Sequence, residues 1–289
     1  MLDVINGHLA LISDGPPVLL RIGPLAVRWY ALAYIGGVLG GWWVMTRMLR
    51  RSCPPMSQAQ LADFVLWAIL GVILGGRLGY VLIYDPAAYL RHPLEVFAVW
   101  RGGMSFHGGG LGLLAATMLF CRRQGLSWLR VFDYVVVVQP TGQGLGRLAN
   151  FFNGELWGAP TNLPWGVIFE RGGPPRHPSQ LYEFLLEGLV LFAGLSWLFW
   201  RTEARRRPGL LMGVFFLGFG VFRVLVELVR EPDAQLRGLT GPLHMGQWLS
   251  LPMIALGLFL LVRGLRRPPI QETEPSSPDA GPARVTLPA

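Results

Sequence analysis

The chain has 289 residues, 52% of them hydrophobic and 15% charged, with a mean hydropathy of +0.42. Soluble domains carry about 25% charged residues, so this deficit excludes an ordinary soluble domain and points to a membrane protein. The net charge of +8 comes from arginines set in short clusters between apolar runs, a distribution that argues against a nucleic-acid partner.

From the N-terminus, Met1 to Pro17 holds Asp3 and Asp14, lacks a basic leader and has only a short apolar run, so no cleaved signal peptide is expected. Apolar runs of about 20 residues cross a hydrocarbon core of ~30 Å. Such runs lie near 25–48, 61–84, 104–120, 131–150, 181–200, 210–229 and 245–262. The second carries Gly71, Gly75 and Gly79, a small-residue face suited to close helix contact. The loop 85–103, with Tyr89, Phe97 and Trp100, suits an interfacial arm or an ordinary connector. Thirteen arginines follow the odd-numbered spans and eight lie in the opposite segments. The positive-inside bias therefore predicts a cytoplasmic C-terminus and an external N-terminus.

The expected fold is all-α: a polytopic membrane protein of about seven helices. Residues 1–267 are expected to form a single transmembrane domain, and 268–289, rich in Pro, Ser and acids, a disordered cytoplasmic tail. Cys53 and Cys121 lie in or beside arginine-rich segments assigned to the cytoplasm, where thiols stay reduced. Neither they nor the scattered histidines have metal-ligand spacing, and no metal site is expected.

Polar groups break the apolar background in four places. His107 opens the third span among glycines that would let other groups approach its ring, and imidazole is the side chain that titrates nearest neutrality. Arg147 and Asn150 share one helix face in a stretch that continues through Asn153, Glu155 and Gly158. A guanidinium fork matches phosphate oxygens two at a time, and a lipid phosphate is its natural partner near a membrane surface. Arg223 and Glu227 stand at i,i+4 in the sixth span, as a buried pair or as a substrate contact held in place. Gln180, Glu183 and Glu187 share a face of the fifth span, after a start that resembles a helix cap. Arg77 is one more buried cation in need of a partner. Together these groups define a polar cavity lined by arginines and suited to an anionic lipid. A transporter, or a lipid scramblase or binding protein, would also place arginines in a membrane. A transporter favours internal repeats, which are absent, and covalent modification of a thiol separates an enzyme from a scramblase.

The stretch GRLANFFNGELWG (146–158) resembles the signature of the prolipoprotein diacylglyceryl transferases, whose usual form is close to GR-[IL]-GNF-[IV]-NGE-[LY]-[WY]-G. Further stretches similar to that family, in the same order, are GGRLGYVLIY (75–84), GGMSFHGGGLG (102–112), RHPSQLYE (176–183), FRVLVELVREPDAQ (222–235) and MGQWLSLPM (245–253). The resemblance covers about 23–253 and implies an enzyme of the bacterial inner membrane with its active site towards the outer leaflet. It would move the diacylglyceryl group of phosphatidylglycerol onto the lipobox cysteine of a preprolipoprotein signal peptide. A thioether forms and glycerol phosphate leaves, without a cofactor. The resemblance implies catalytic roles for His107, Arg147 and Arg223, and substrate-binding roles for Tyr30, Asn150, Glu155, Gly158 and Glu227. The chain departs from the family pattern at Arg28, where His is usual, at Phe219, where Tyr is usual, and at Ala149, where Gly is usual. Its segment between Gly158 and Arg176 is also short.

Overall fold

The computed structural model describes residues 2–5, 7–11, 18–22, 25–99, 102–231 and 245–271. The expected disordered tail from residue 272 onward, Trp100 of the suggested arm and residues 232–235 lie outside the described residues. The chain divides into two compact units, Thr46–Phe132 and the remainder, with the boundaries inside two helices.

In the first of these, α2 (Gln58–Ile83) starts at a reciprocal cap. Gln60 N donates to Ser57 Oγ at 3.1 Å, and Ser57 N donates to Gln60 Oε1 at 2.9 Å. A short α3 (Pro86–Arg91) and a 3-10 turn (Pro93–Phe97) follow, and then α4 (Phe106–Gln124), which ends at Gly125 with φ 65°. The small-residue face of α2 meets α4. A Cβ added at Gly75 would lie 2.4 Å from Gly108 O, and one added at Gly71 would lie 2.6 Å from Gly112 O. Only glycines allow backbones this close, and packing rather than hydrophobicity holds such helices together in lipid. Gly108, expected to free the His107 ring, thus serves helix contact.

Arg77, 4% exposed on α2, organises the arm. Its Nε donates to Val96 O at 2.8 Å. Nη1 donates to Gly102 O and Gly103 O at 2.6 and 3.0 Å, and Nη2 to Glu95 O and Ala98 O at 2.5 and 3.4 Å. The cation's partners are therefore backbone carbonyls of the loop. Leu90, Leu94 and Phe97 of that loop are exposed.

Among the described residues the strands lie in the other unit. β1 (Leu2–Ile5) pairs antiparallel with β2 (His8–Leu11), which pairs parallel with β5 (Val167–Ile168). β3 (Val18–Ile22) and β4 (Leu25–Arg28) form a separate hairpin. The all-α expectation is corrected here to a mostly helical chain with small sheets. Residues 25–28, expected as the start of the first span, are a strand, and α1 (Trp29–Met48) begins only at Trp29. An apolar run paired along one edge is satisfied as a strand as readily as in a helix.

α5 (Trp128–Asn153) carries Pro140 inside it. A continuous helix runs from Ser179 to Arg201 through α6 (Ser179–Glu183), a π-helical stretch (Phe184–Val190) and α7 (Leu191–Arg201). α8 (Leu210–Glu227) and α9 (Met245–Arg266) pack through Gly213 and Gly257. A Cβ at Gly257 would fall 2.4 Å from Leu217 N. Buried Asp133 of α5 accepts from Gly209 N at 2.6 Å and Met212 N at 2.8 Å. A carboxylate thus meets the unsatisfied N–H groups that open α8. Phe219 stacks on Phe215, with centroids 5.7 Å apart, and Ala149 is buried while Arg28 is exposed.

Among the described residues four helices are long and apolar enough to cross a membrane: Gln58–Ile83, Ser179–Arg201, Leu210–Glu227 and Gly246–Arg266. α1, α4 and α5 are of spanning length, but their glycines, tryptophans or polar residues lower their hydropathy.

Candidate active site

The site grows from three helix segments of one unit, each bringing charge into apolar surroundings. Near its C-terminal end α5 presents Arg147 and Asn150 one turn apart. Gly154, at φ 65°, then turns the chain out of the helix. The helix beginning at Ser179 buries Ser179, Gln180, Glu183 and Glu187 completely. The wider π turn directly follows Glu183, and such turns recur at functional sites. It also brings Gly188 against α5, where a Cβ at Gly144 would lie 3.2 Å from Gly188 Cα. α8 contributes Arg223 and Glu227, and Arg230 follows its end.

These groups converge on one carboxylate. Glu183 Oε1 accepts from Arg223 Nη1 and, at 3.1 Å, from Arg230 Nη1. Glu183 Oε2 lies 3.2 Å from Arg147 Nε, an ion pair rather than an aligned hydrogen bond. Arg223 Nη2 is also 3.2 Å from Glu227 Oε2. Gln143 Nε2 donates to Glu187 Oε2 at 3.2 Å. Taking a carboxylate out of water costs several kcal/mol, roughly, unless charge and hydrogen bonds offset it; here three cations do so.

Beside the cluster, Asn150 Nδ2 donates to the Tyr30 hydroxyl, and Arg147 Nη1 reaches Asn150 Oδ1 at 3.5 Å. Trp29 stacks on Phe152 at 4.3 Å, which pins the first turn of α1 to the last turns of α5. Asn153 Nδ2 donates to Glu155 Oε1 at 2.7 Å, so this asparagine orients the acid. Gln180 Nε2 donates to Glu155 O at 2.7 Å and Ser179 Oγ to Leu156 O at 3.0 Å, tying that loop to the Glu183 helix.

Gly158 has a packing role. A Cβ there would lie 2.5 Å from Val229 O and 2.7 Å from His177 Cβ. Its chain runs as a seam, with Gly158 N donating to His177 O and Ala159 N to Val229 O, both at 2.9 Å. Gly158 also bridges Arg230, so its missing side chain fixes where that arginine begins. Glu227 similarly needs Gly246 at the start of α9, where a Cβ would fall 2.5 Å from Glu227 Oε2.

Of the residues singled out from sequence, Arg147, Arg223 and Glu227 are thus brought together, with Tyr30, Asn150, Glu155 and Gly158 around them. His107 belongs to the other compact unit, where it occupies the first turn of α4 with its side chain exposed. Sequence reasoning put Glu183 on a polar face with Gln180 and Glu187 but gave it no part in the site, and it did not place its third cation, Arg230, there. The available signal was two inward-facing acids one turn apart in a span, which require buried cations. Among the described residues no group of three His, Cys, Asp or Glu side chains could hold a metal ion.

Three guanidinium groups in a mostly helical chain with membrane-length apolar helices thus share one buried carboxylate. The family model for prolipoprotein diacylglyceryl transferase matches residues 17–263. A Rhodospirillum rubrum protein named phosphatidylglycerol–prolipoprotein diacylglyceryl transferase is 55% identical over 259 residues, 88% of this chain and 94% of its own length. Proteins of the same name from Rhodospirillum centenum and Gluconacetobacter diazotrophicus are 52% and 50% identical. These two alignments cover 86% and 92% of this chain, and 91% and 96% of the relatives. The chain belongs to the prolipoprotein diacylglyceryl transferase family.

Proposed function

We propose that this protein is a phosphatidylglycerol–prolipoprotein diacylglyceryl transferase of the bacterial inner membrane, acting on the lipobox cysteine of preprolipoproteins. Family membership over most of the chain supports the reaction. The convergence of Arg147 and Arg223, from two helices, on Glu183 is the observation that carries the site.

The chemistry explains why arginines are needed. The cysteine sulfur attacks the glycerol carbon of the diacylglyceryl group as a thiolate. A C–S bond forms, the C–O bond to phosphorus breaks, and its electron pair goes to the phosphate. The phosphate thereby passes from a diester monoanion towards a monoester dianion. Cations beside it gain interaction as the transition state develops, which is the condition for accelerating the step. Arg147 and Arg223 fill this role. The thiol proton goes to a base, for which His107 is our proposed residue. Tyr30, Asn150 and Glu155 supply hydrogen-bonding groups for the headgroup, Gly158 gives the close backbone packing at its edge, and Glu227 orients Arg223.

The wider architecture belongs to the same reading. α1, α2, α4, α5, the helix 179–201, α8 and α9 serve as seven spans of one domain within 1–267. The arginine clusters put the N-terminus outside and the C-terminus in the cytoplasm, so the Arg147 site faces the outer leaflet. No cofactor enters the reaction.

The test is a transfer assay with purified protein, a lipobox peptide and phosphatidylglycerol, read by mass spectrometry. A diacylglyceryl mass gain on the cysteine is expected. An unmodified peptide with protein that still binds the lipid would replace the enzyme with a lipid-binding or scramblase protein.

A further inference from the structure

Resting on that reading of the site, we propose that Glu183 is a positioning residue for three phosphate-side cations, and that Arg230 is the third of them. The mechanism above needs only Arg147 and Arg223, and leaves the fully buried Glu183 carboxylate without a task.

The first support is how little of each guanidinium Glu183 consumes. It takes Nε of Arg147, Nη1 of Arg223 and Nη1 of Arg230. Each guanidinium has five N–H donors, so donors remain on all three for a phosphate. The second is that, among the described residues, Glu183 is the acid paired with all three arginines, whereas Glu227 is paired with Arg223. The arginines come from α5, from α8 and from beyond its end. Three like charges gathered around one point repel one another. A shared carboxylate offsets that repulsion and sets the spacing.

The third support is that the hub is itself held firmly. Gln180 and Ser179, less than two turns before Glu183, are hydrogen-bonded to the Glu155–Leu156 backbone, and the π turn after Glu183 seats against Gly144. Arg230 is fixed separately by its backbone bridge to Gly158. Donors fixed before the reaction are worth most when charge develops on the phosphate, because they need no reorganisation at that moment. Glu183 therefore governs turnover more than lipid binding.

The experiment uses the full chain reconstituted with phosphatidylglycerol, comparing wild type, Glu183→Gln, Glu183→Asp and Arg230→Gln. It measures kcat, KM for the lipid and thermal unfolding. In Glu183→Gln the shape persists and the charge goes; kcat is expected to fall about 100-fold with KM within about threefold of wild type. Glu183→Asp keeps the charge on a shorter reach, so it should lose about tenfold in kcat at unchanged thermal stability. Arg230→Gln should also lose about tenfold in kcat. An unchanged kcat in Glu183→Gln would overturn the proposal. So would losses in Glu183→Gln and Glu183→Asp that simply follow lower thermal stability, since that is a structural role. If wild type itself transfers nothing, the underlying function fails instead, and the comparison separates the two.

Discussion

Two buried arginine environments in this molecule differ in what answers the charge. In the Thr46–Phe132 unit, Arg77 donates to the carbonyls of Glu95, Val96, Ala98, Gly102 and Gly103, which take up its donors. In the other unit, Arg147, Arg223 and Arg230 share one carboxylate and keep donors in reserve. A guanidinium saturated by backbone has no donor left for a ligand, whereas guanidiniums that share one acid keep some. Burial of an arginine alone does not distinguish these cases. Its partners do.

That contrast can be broken by substitution. Arg77→Ala should act on folding. Each buried carbonyl left without a donor costs about 1–3 kcal/mol, so the variant should lose at least ~3 kcal/mol of stability. Early unfolding and easy proteolysis of the loop 85–99 would show it, and a stable but inactive variant would put Arg77 in the chemistry instead. Gly158→Ala sharpens the other side, because its methyl group would overlap Val229 O and displace the chain leading to Arg230. A strain of ~1–3 kcal/mol, felt in the transition state through a displaced Arg230, corresponds to roughly 5- to 150-fold lower kcat/KM. Wild-type kinetics in that variant would show that the seam does not position Arg230. Tyr30→Phe should be mildest: it removes the hydroxyl that accepts from Asn150, worth about 1 kcal/mol, or roughly fivefold in kcat/KM.

Much of this contrast was legible in the sequence, and the limits have physical causes. Apolar length located the helices within a few residues, and the glycine spacing of α2 foretold a close helix contact, though not that α4 would make it. The hairpin at 18–28 stayed hidden because its apolar residues run on into α1, and a short apolar run is ambiguous between strand and helix. Arg223 and Glu227 could be paired because i,i+4 is a local relation. Glu183 could not be joined to Arg147 and Arg223, since that link depends on how separate helices pack. The glycines around His107 were read as room for groups approaching its ring, whereas a close backbone contact explains Gly108. Spacing shows that a glycine is needed but not which neighbour needs it.

We propose that the clustered arginines stabilise charge on the departing phosphate. Arg147→Ala tests it most directly in the lipobox-peptide transfer assay, at saturating phosphatidylglycerol and with thermal unfolding checked alongside. A folded protein whose kcat falls by about 10²- to 10³-fold is expected. A folded variant that modifies the peptide at the wild-type rate would contradict it.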